Sequence, residues 1–307
     1  MAKAKTTAKS SKTRKKAAPA KPTKAAALAA YTMFGFDWLR ADVRAFWAGV
    51  AARLKDGGMT GVPARLNWQS SESEQWRAPG LMLAQTCGYP LLKGETGPVR
   101  LVATPSYSAP FCEGAMYRSV VVVGAGTQVT SLMQLKGGVA AINKPTSHSG
   151  CNAFRRLVAD YVVQSTAAPA ANRDRAGGAR FFGAVKITGS HKASLEAVAA
   201  GKADVAAIDA VSFHLISRHQ PKLTDAVRIL TATLPAPGLP LITASARADA
   251  DLRLMRSALA DTLGDAKLRP HLTALCITGF QVLDRAAYTP ILAMEREAED
   301  MGYPVLA

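Results

Sequence analysis

The stretch Val139–Tyr161, VAAINKPTSHSGCNAFRRLVADY, predicts a strand, a polar turn and a helix in that order. It opens with a short apolar run, which suits a buried strand. It closes with apolar side chains at the spacing of one helix face, namely Ala153, Phe154, Leu157, Val158 and Tyr161. The segment between them, Asn143–Gly150, has no large hydrophobic side chain. The chain therefore turns sharply here and exposes polar groups where the helix begins.

The turn Asn143–Gly150 carries several small hydroxyl side chains and one lysine, Lys144. A helix that begins in such a turn leaves its first backbone N–H groups unpaired. Those N–H groups, the positive end of the helix dipole and the hydroxyls of Ser147 and Ser149 together suit an anion. A second interpretation stays open, because serine and threonine also cap helices that bind nothing.

Short apolar strands alternate with helices along the chain, which predicts an α/β fold whose sheets are mostly parallel and flanked by helices. The order of these elements predicts two lobes. The first contains residues 26–118 and 236–307, and the second, residues 119–235, is inserted between them. A ligand would then lie in the cleft between the lobes, where strand ends and helix starts face each other.

The formal charge of +16 is concentrated at the N-terminus. Residues 1–24 carry nine positive charges and no acid, so the rest of the chain carries only +7. We expect residues 1–25 to form a disordered Lys/Ala-rich tail, because they cannot bury enough apolar surface to offset their ordering entropy. Such a tail would bind nucleic acid or anionic lipid weakly and without specificity, or would act only as a solubilising extension.

The sequence leaves the compartment open. The apolar run Ala25–Phe36 is a poor secretory signal, because it follows an overlong basic region and lacks a small-residue cleavage pattern. The four cysteines, Cys87, Cys112, Cys151 and Cys276, form no CxxC pair, which argues against a zinc or redox motif. Cys87 and Cys112 would form a disulfide only if their loops are neighbours and the compartment is oxidising.

Polar side chains recur where predicted strands end. They are Gln85, Thr86 and Tyr89, then Ser106 and Tyr107, Ser147, His148 and Ser149, Ser190 and His191, and Asp209. Strand ends of a parallel sheet lie along one edge, so these groups are expected to converge. Hydroxyls, imidazoles and helix N-termini are donors that suit an oxyanion. Asp209 would instead accept a hydrogen bond from a protonated oxygen or an amine.

In these residues and the segments around them, the chain resembles the phosphate, phosphite and phosphonate receptors of ABC transporters, which have the type II periplasmic-binding-protein fold. The resemblance extends from about Tyr31 to about Arg247, and its most specific part is the combination of two turns. The matching segments are QTCGYP at Gln85–Pro90, Val99–Thr104 with Tyr107, Cys112–Gly114, Tyr117–Ser119, Asn143–Gly150 and TGSHKASLEAVAAGKADVAAID at Thr188–Asp209.

The resemblance implies a binding protein that closes two lobes over a small oxyanion and does no chemistry. It implies that Ser147, His148 and Ser149 hold ligand oxygens, that His191 donates an imidazole N–H, and that Tyr89 supplies a hydroxyl or an aromatic wall. Asp209 stands near the pocket acid of the family. Together with Tyr107 and Ser190 from the strand ends, these residues make up the predicted ligand site. The resemblance also implies a periplasmic location, a permease partner and a monomer.

Three other functions stay open. The Ser/His turns also suit a nucleophile and a base, although the chain has no G-x-S-x-G elbow, P-loop or H-E-x-x-H motif. The same fold would suit a cytoplasmic sensor of a small metabolite that is not coupled to transport. The basic tail would suit a nucleic-acid or anionic-surface binder. We expect no catalytic residue, no cofactor and no metal site.

Overall fold

The structure is a computed structural model that describes residues 26–165 and 180–307. The predicted tail, residues 1–25, lies outside the described residues. Thirteen strands fall within the described part of the chain. They are β1 (Leu28–Ala29), β2 (Leu81–Gln85), β3 (Val99–Tyr107), β4 (Cys112–Glu113), β5 (Met116–Tyr117), β6 (Ser119–Gly124), β7 (Val139–Ile142), β8 (Ala184–Ile187), β9 (Val205–Asp209), β10 (Val227–Ala232), β11 (Ala236–Pro237), β12 (Leu241–Ala244) and β13 (Ile277–Gln281).

Ten α-helices accompany these strands in the same residues. They are α1 (Arg40–Asp56), α2 (Glu72–Arg77), α3 (Gly88–Leu92), α4 (Ala153–Ser165), α5 (His191–Ala199), α6 (Ala210–His219), α7 (Pro221–Asp225), α8 (Asp249–Thr262), α9 (Arg269–Ala274) and α10 (Pro290–Asp300). Short 3-10 turns cover Asp37–Leu39, Leu132–Leu135 and Ala286–Tyr288, and a π-helical turn covers His148–Asn152. No helix among the described residues is long and apolar enough to span a membrane.

The strands form two five-stranded sheets and one small three-stranded sheet. The first sheet has the order β1-β2-β12-β3-β13, and the second has the order β10-β6-β9-β7-β8. We call the halves of the molecule around them the first lobe and the second lobe. The small sheet, β11-β5-β4, lies where the chain passes from one lobe to the other.

Both large sheets are mixed, so the prediction of mostly parallel sheets was wrong. In the first sheet only β1 and β2 pair in parallel, and β12 runs antiparallel to both of its neighbours. In the second sheet β7 pairs in parallel with β8 and β9, whereas β6 is antiparallel to β9 and β10. The apolar runs predicted buried strands, but such a run does not show in which direction a strand lies beside its neighbours.

The two connections between the lobes are hydrogen-bonded to each other. Ser119 N donates to Thr233 Oγ1 at 2.9 Å, and Thr233 N donates to Ser119 O at the same distance. The guanidinium of Arg118 donates to Thr233 O at 2.7 Å. Any movement of one lobe relative to the other must therefore bend both connections together.

The C-terminal residues pack in the second lobe, which differs from the predicted boundary that places residues 236–307 in the first. Tyr303 and Leu306 are buried in the apolar cluster of the second sheet, beside Phe181 and Phe182. The backbone N–H groups of Phe181 and Phe182 donate to the Ala307 carbonyl at 2.7 and 2.9 Å. Helix α10 thus forms a third link between the lobes. The cysteines are all free thiols, so Cys87 and Cys112 are not bridged.

Candidate functional site

A cavity of about 320 Å³ lies between the two lobes, and each lobe supplies one of its walls. The first lobe contributes Thr32, Met33, Phe34, Gly35, Phe36, Glu72, Trp76, Cys87, Pro90 and Leu239. The second lobe contributes Asn143, Lys144, Thr146, Ser147, Ser149, Gly189, Ser190, His191, Lys192 and Asp209. The cavity thus lies in the predicted cleft.

The turn after β7 forms the first part of the second-lobe wall. The hydroxyl of Ser147 accepts a hydrogen bond from Gly150 N at 3.1 Å and so caps the helical segment that follows. That segment begins as the π-helical turn His148–Asn152 and continues as α4. Single π-helical turns frequently occur at functional sites. Here Ser147, which precedes the turn, and Ser149, which lies within it, both line the cavity.

The start of α5 meets this turn. His191 Nε2 lies 2.8 Å from Ser149 Oγ, which joins the two predicted helix starts in one cluster. Ser190 caps α5 by accepting a hydrogen bond from Ala193 N at 3.1 Å. Ser149 Oγ also lies 3.5 Å from Ser147 Oγ. Hydroxyl and imidazole groups from two separate loops therefore face the same space.

His191 is uncharged at neutral pH. Burial lowers its pKa to about 4, an effect that a hydrogen bond to the Ala207 backbone partly offsets and that nearby Lys144 reinforces. Its Nδ1 lies 3.4 Å from the Asp209 backbone N–H, and its Nε2 faces the Ser149 hydroxyl and the Asn143 amide. The neutral ring brings one N–H donor and one acceptor nitrogen to the site without adding a positive charge.

Asp209 is the last residue of β9, and only one of its two carboxylate oxygens caps a helix. Its Oδ1 accepts a hydrogen bond from Ser212 N at 2.7 Å and caps α6. Its Oδ2 is buried and makes no hydrogen bond of good geometry within the described residues. Burial raises the pKa of Asp209 to about 6, an effect that hydrogen bonds from Ser212 and Val211 partly offset. Asp209 Oδ2 therefore has acceptor capacity for a donor on a ligand.

Asn143 offers a second unpaired acceptor. Its Oδ1 is buried without a hydrogen-bond partner among the described residues, and its Nδ2 lies 3.4 Å from His191 Nε2. The Asn143 amide lies close to the backbone of Gly150, because a β-carbon at residue 150 would lie 2.0 Å from Asn143 Oδ1. The site thus combines hydroxyl and imidazole donors with two unpaired acceptors.

Five of the eight predicted ligand-binding residues line the cavity, namely Ser147, Ser149, Ser190, His191 and Asp209. Tyr89, Tyr107 and His148 do not. The Tyr89 hydroxyl forms a short hydrogen bond to the Glu295 carboxylate on α10, and burial and that carboxylate raise the pKa of Tyr89. Its hydroxyl is therefore used in a contact between α3 and α10.

Tyr107 and His148 are buried in contacts of their own. The Tyr107 hydroxyl lies 3.3 Å from the Tyr31 hydroxyl and accepts from Gln85 Nε2 at 3.1 Å. His148 Nδ1 lies 3.2 Å from Asn152 Nδ2, and burial lowers the pKa of His148 to about 3. Its backbone N–H donates to Cys87 Sγ at 3.4 Å, across the interface between the lobes.

Sequence reasoning missed the first-lobe wall. Phe34 and Phe36 carry no polar group, and the indole N–H of Trp76 is used within the first lobe. The wall also includes the carboxylate of Glu72. One signal was available, because the sequence predicts a first strand at Ala27–Phe34 followed by a loop at Gly35–Asp37, and strand ends of this kind of sheet face the cleft.

The comparisons with known proteins agree with this architecture. The sequence pattern of one family, described as "ABC transporter, phosphonate, periplasmic substrate-binding protein", matches residues 80–288. No curated protein sequence matches the chain.

Several solved structures share the fold. The binding-protein component of an ABC phosphonate transporter from Pseudomonas aeruginosa has a TM-score of 0.69 and 15% identity, over 91% of this chain and 88% of that one. PhnD1 from Prochlorococcus marinus, in complex with methylphosphonate, has a TM-score of 0.66 and 15% identity, over 89% and 98%. XAC2383 from Xanthomonas citri, bound to ATP, has a TM-score of 0.62 and 17% identity, over 91% and 98%. At such identities the likeness shows the two-lobed fold alone.

Proposed function

Because the chain belongs to the family of periplasmic substrate-binding proteins of ABC phosphonate transporters, we propose that it binds a phosphonate-type oxyanion between its lobes. In this proposal the protein captures the ligand, delivers it to a transporter permease and does no chemistry on it. Expulsion of water from the closed cleft strengthens each hydrogen bond to the anion.

The observation that carries the proposal is the contact between the two helix starts. Ser149 Oγ and His191 Nε2 come from separate loops, lie 2.8 Å apart and line the same cavity. Hydroxyl, imidazole and helix N-terminal N–H groups are the donors that bind tetrahedral oxyanions in proteins.

Each residue of the cluster has a distinct role in the proposal. Ser147, Ser149 and Ser190 present hydroxyls to the oxyanion, and His191 donates from its neutral ring. Asp209 Oδ2 accepts a hydrogen bond from a protonated oxygen of the ligand. The ionised carboxylate would repel a fully charged dianion, so the site selects the monoprotonated form.

The geometry supports binding over catalysis. A serine and a histidine 2.8 Å apart resemble a nucleophile and its base. However, burial holds the pKa of His191 near 4, so the ring accepts a proton poorly at neutral pH. Its Nδ1 faces backbone groups rather than a carboxylate that would stabilise an imidazolium.

Isothermal titration with methylphosphonate, inorganic phosphate and sulfate, in a buffer free of these ions, tests the proposal. We expect methylphosphonate to bind and to stabilise the protein by about 2.7 kcal/mol at a hundredfold excess over its dissociation constant. Ser149→Ala should weaken binding roughly tenfold, because it removes a hydrogen bond to a charged group. Ser257→Ala, an exposed site on α8, is the matched control. Absence of binding to all three anions would end the proposal.

A further inference from the structure

The two walls of the cavity differ in chemistry. The second-lobe wall is made of amide, hydroxyl, imidazole, ammonium and carboxylate groups. The first-lobe wall is dominated by apolar side chains, namely Met33, Phe34, Phe36, Trp76, Pro90 and Leu239. A ligand that consisted only of an oxyanion would leave the first-lobe wall without a partner.

The polar atoms of the first-lobe wall are already engaged. Trp76 Nε1 donates to the Gln85 carbonyl at 2.9 Å, so its ring rather than its N–H is available to a ligand. Thr32 Oγ1 donates to Gln75 Oε1 at 3.1 Å. Glu72 is paired with Lys144 at 2.8 Å. What this wall offers is therefore mainly hydrocarbon and aromatic surface.

The size of the cavity leads to the same conclusion. Its volume of about 320 Å³ equals roughly ten water molecules at about 30 Å³ each. Inorganic phosphate and methylphosphonate have only five non-hydrogen atoms and would leave most of that space to water. Ordered water needs several polar partners, which a wall of Met, Phe, Trp, Pro and Leu side chains does not supply.

We propose that the ligand is an oxyanion that carries an uncharged apolar substituent, as in an aryl or branched alkyl phosphonate or the corresponding phosphate monoester. This inference rests on the proposed function, since the oxyanion occupies the second-lobe cluster. The substituent then lies against the first-lobe wall, and its transfer from water adds binding energy in proportion to the apolar area buried. Shape and polarity of the first lobe thus set ligand specificity.

Titration with four compounds tests the inference: methylphosphonate, phenylphosphonate, phenyl phosphate and 2-aminoethylphosphonate. We expect phenylphosphonate or phenyl phosphate to bind at least about tenfold more tightly than methylphosphonate. The tighter of the two aryl compounds identifies whether the source is a phosphonate or a phosphate ester. Methylphosphonate or 2-aminoethylphosphonate that binds as tightly as both aryl compounds would overturn the inference and leave the proposed function intact. Failure of all four would overturn both.

A variant of the apolar wall gives an independent test. Met33 lines the cavity and is partly exposed, so Met33→Ala shortens the wall without touching the oxyanion cluster. We expect affinity for the preferred aryl compound to fall about fivefold and affinity for methylphosphonate to fall by a clearly smaller factor. Met33→Leu should bind the preferred aryl compound nearly as tightly as the native protein does, because leucine keeps the volume and polarity of methionine. Met116→Ala, an exposed methionine outside the cavity lining, is the control. An equal loss for both ligands, with an unchanged melting temperature, would contradict the assigned role of the wall.

Discussion

Lys144 of the second lobe lies within ion-pair distance of Glu72 of the first, with 2.8 Å between Nζ and Oε2. Lys144 belongs to the turn after β7, and Glu72 is the first residue of α2. Both line the cavity, and their side chains are 46% and 34% exposed. The pair therefore links the lobes at the solvent-exposed edge of the cavity and lies beside the space that the anion would occupy.

The two members of this pair should affect anion affinity differently. Lys144→Met removes both the link and a positive charge near the anion, whereas Glu72→Gln removes the link and a negative charge that repels the anion. We expect Lys144→Met to weaken methylphosphonate binding several-fold and Glu72→Gln to change it little. A double-mutant cycle on the free energy of unfolding should give a coupling of about 0.2–1 kcal/mol, the usual range for exposed pairs. Urea denaturation of the native protein, both single variants and the double variant measures this coupling, and titration at low salt gives the dissociation constants.

A control and a salt series complete that experiment. Lys136→Met removes an exposed positive charge of the second lobe outside the cavity lining, so it should leave the affinity nearly unchanged. The effect of Lys144→Met should shrink at high salt, since exposed charges are screened. Zero coupling between Lys144 and Glu72 in the free energy of unfolding would show that the contact between the lobes does not stabilise the fold.

His191 should be the most sensitive single donor of the site. His191→Ala removes the imidazole that lies 2.8 Å from Ser149 Oγ and leaves that hydroxyl without this partner. We expect methylphosphonate affinity to fall roughly tenfold or more. His191→Asn, which keeps an N–H donor, should recover part of it. His271→Ala, outside the cavity lining, is the matched control. Equal affinities for native protein and His191→Ala would remove this residue from the site.

The sequence reasoning succeeded where signals are local. The strand, turn and helix around Pro145 exist. The sequence also predicts that Gly189–His191 turns into a helix at Lys192–Ala200, and α5 begins at His191. Both follow from hydrophobic periodicity and capping chemistry, which act over a few residues. That these two starts approach each other followed from the expected alignment of strand ends and from the family resemblance, because contacts between distant loops leave no local pattern.

Features that depend on contacts between distant parts of the chain could not be predicted from local sequence patterns. Strands β6 and β12 run antiparallel to strands that lie far away in the sequence. The Tyr89 hydroxyl contacts Glu295, a residue of the last helix that is far away in the sequence. The apolar side chain of Phe34 suits a core and a cavity wall equally well. Only the three-dimensional arrangement separates these possibilities.

Tyr89 should contribute to stability rather than to ligand affinity. Tyr89→Phe removes the hydroxyl that donates to Glu295 and leaves that carboxylate with Arg155 and Lys93 as charged neighbours. We expect the free energy of unfolding to fall by about 1–3 kcal/mol, as for a hydrogen bond to a charged group. Urea denaturation measures this change. A loss of methylphosphonate affinity without a loss of stability would instead return Tyr89 to the binding site.

Asp209 should make stability depend on pH in a defined direction. Burial raises its pKa from 3.8 to about 6. The stabilisation from holding this proton is complete below about pH 3.8 and is lost as the pH rises through about 6, with an upper size of about 3 kcal/mol. Asp209→Asn, which still suits the cap of α6, should therefore lose less stability than the native protein between pH 4.5 and 7.5. Urea denaturation without ligand at both pH values measures the difference.

Two buried histidines, His148 and His191, change the stability with pH in the opposite direction. Their contribution cancels when the native protein is compared with Asp209→Asn. Burial lowers the pKa values of His148 and His191 to about 3 and 4, so their stabilisation is present above about pH 6.5 and is lost as the pH falls. Both proteins contain them. Identical pH dependence in the native protein and in Asp209→Asn would mean that the carboxyl group keeps its ordinary pKa in the fold.

Gly150→Ala should displace a side chain of the site. An alanine β-carbon would lie 2.0 Å from Asn143 Oδ1 and 3.2 Å from His191 Cε1, so the Asn143 amide must move away from its present position. We expect a loss of about 1–3 kcal/mol in stability together with weaker methylphosphonate binding. Gly126→Ala, where no atom lies within 4 Å, is the matched control. The double variant Gly150→Ala with Asn143→Ala removes the clashing amide and should recover stability but not affinity, because the Asn143 acceptor is gone. If Gly150→Ala binds methylphosphonate as tightly as the native protein, the close approach of Asn143 to this turn does not shape the site.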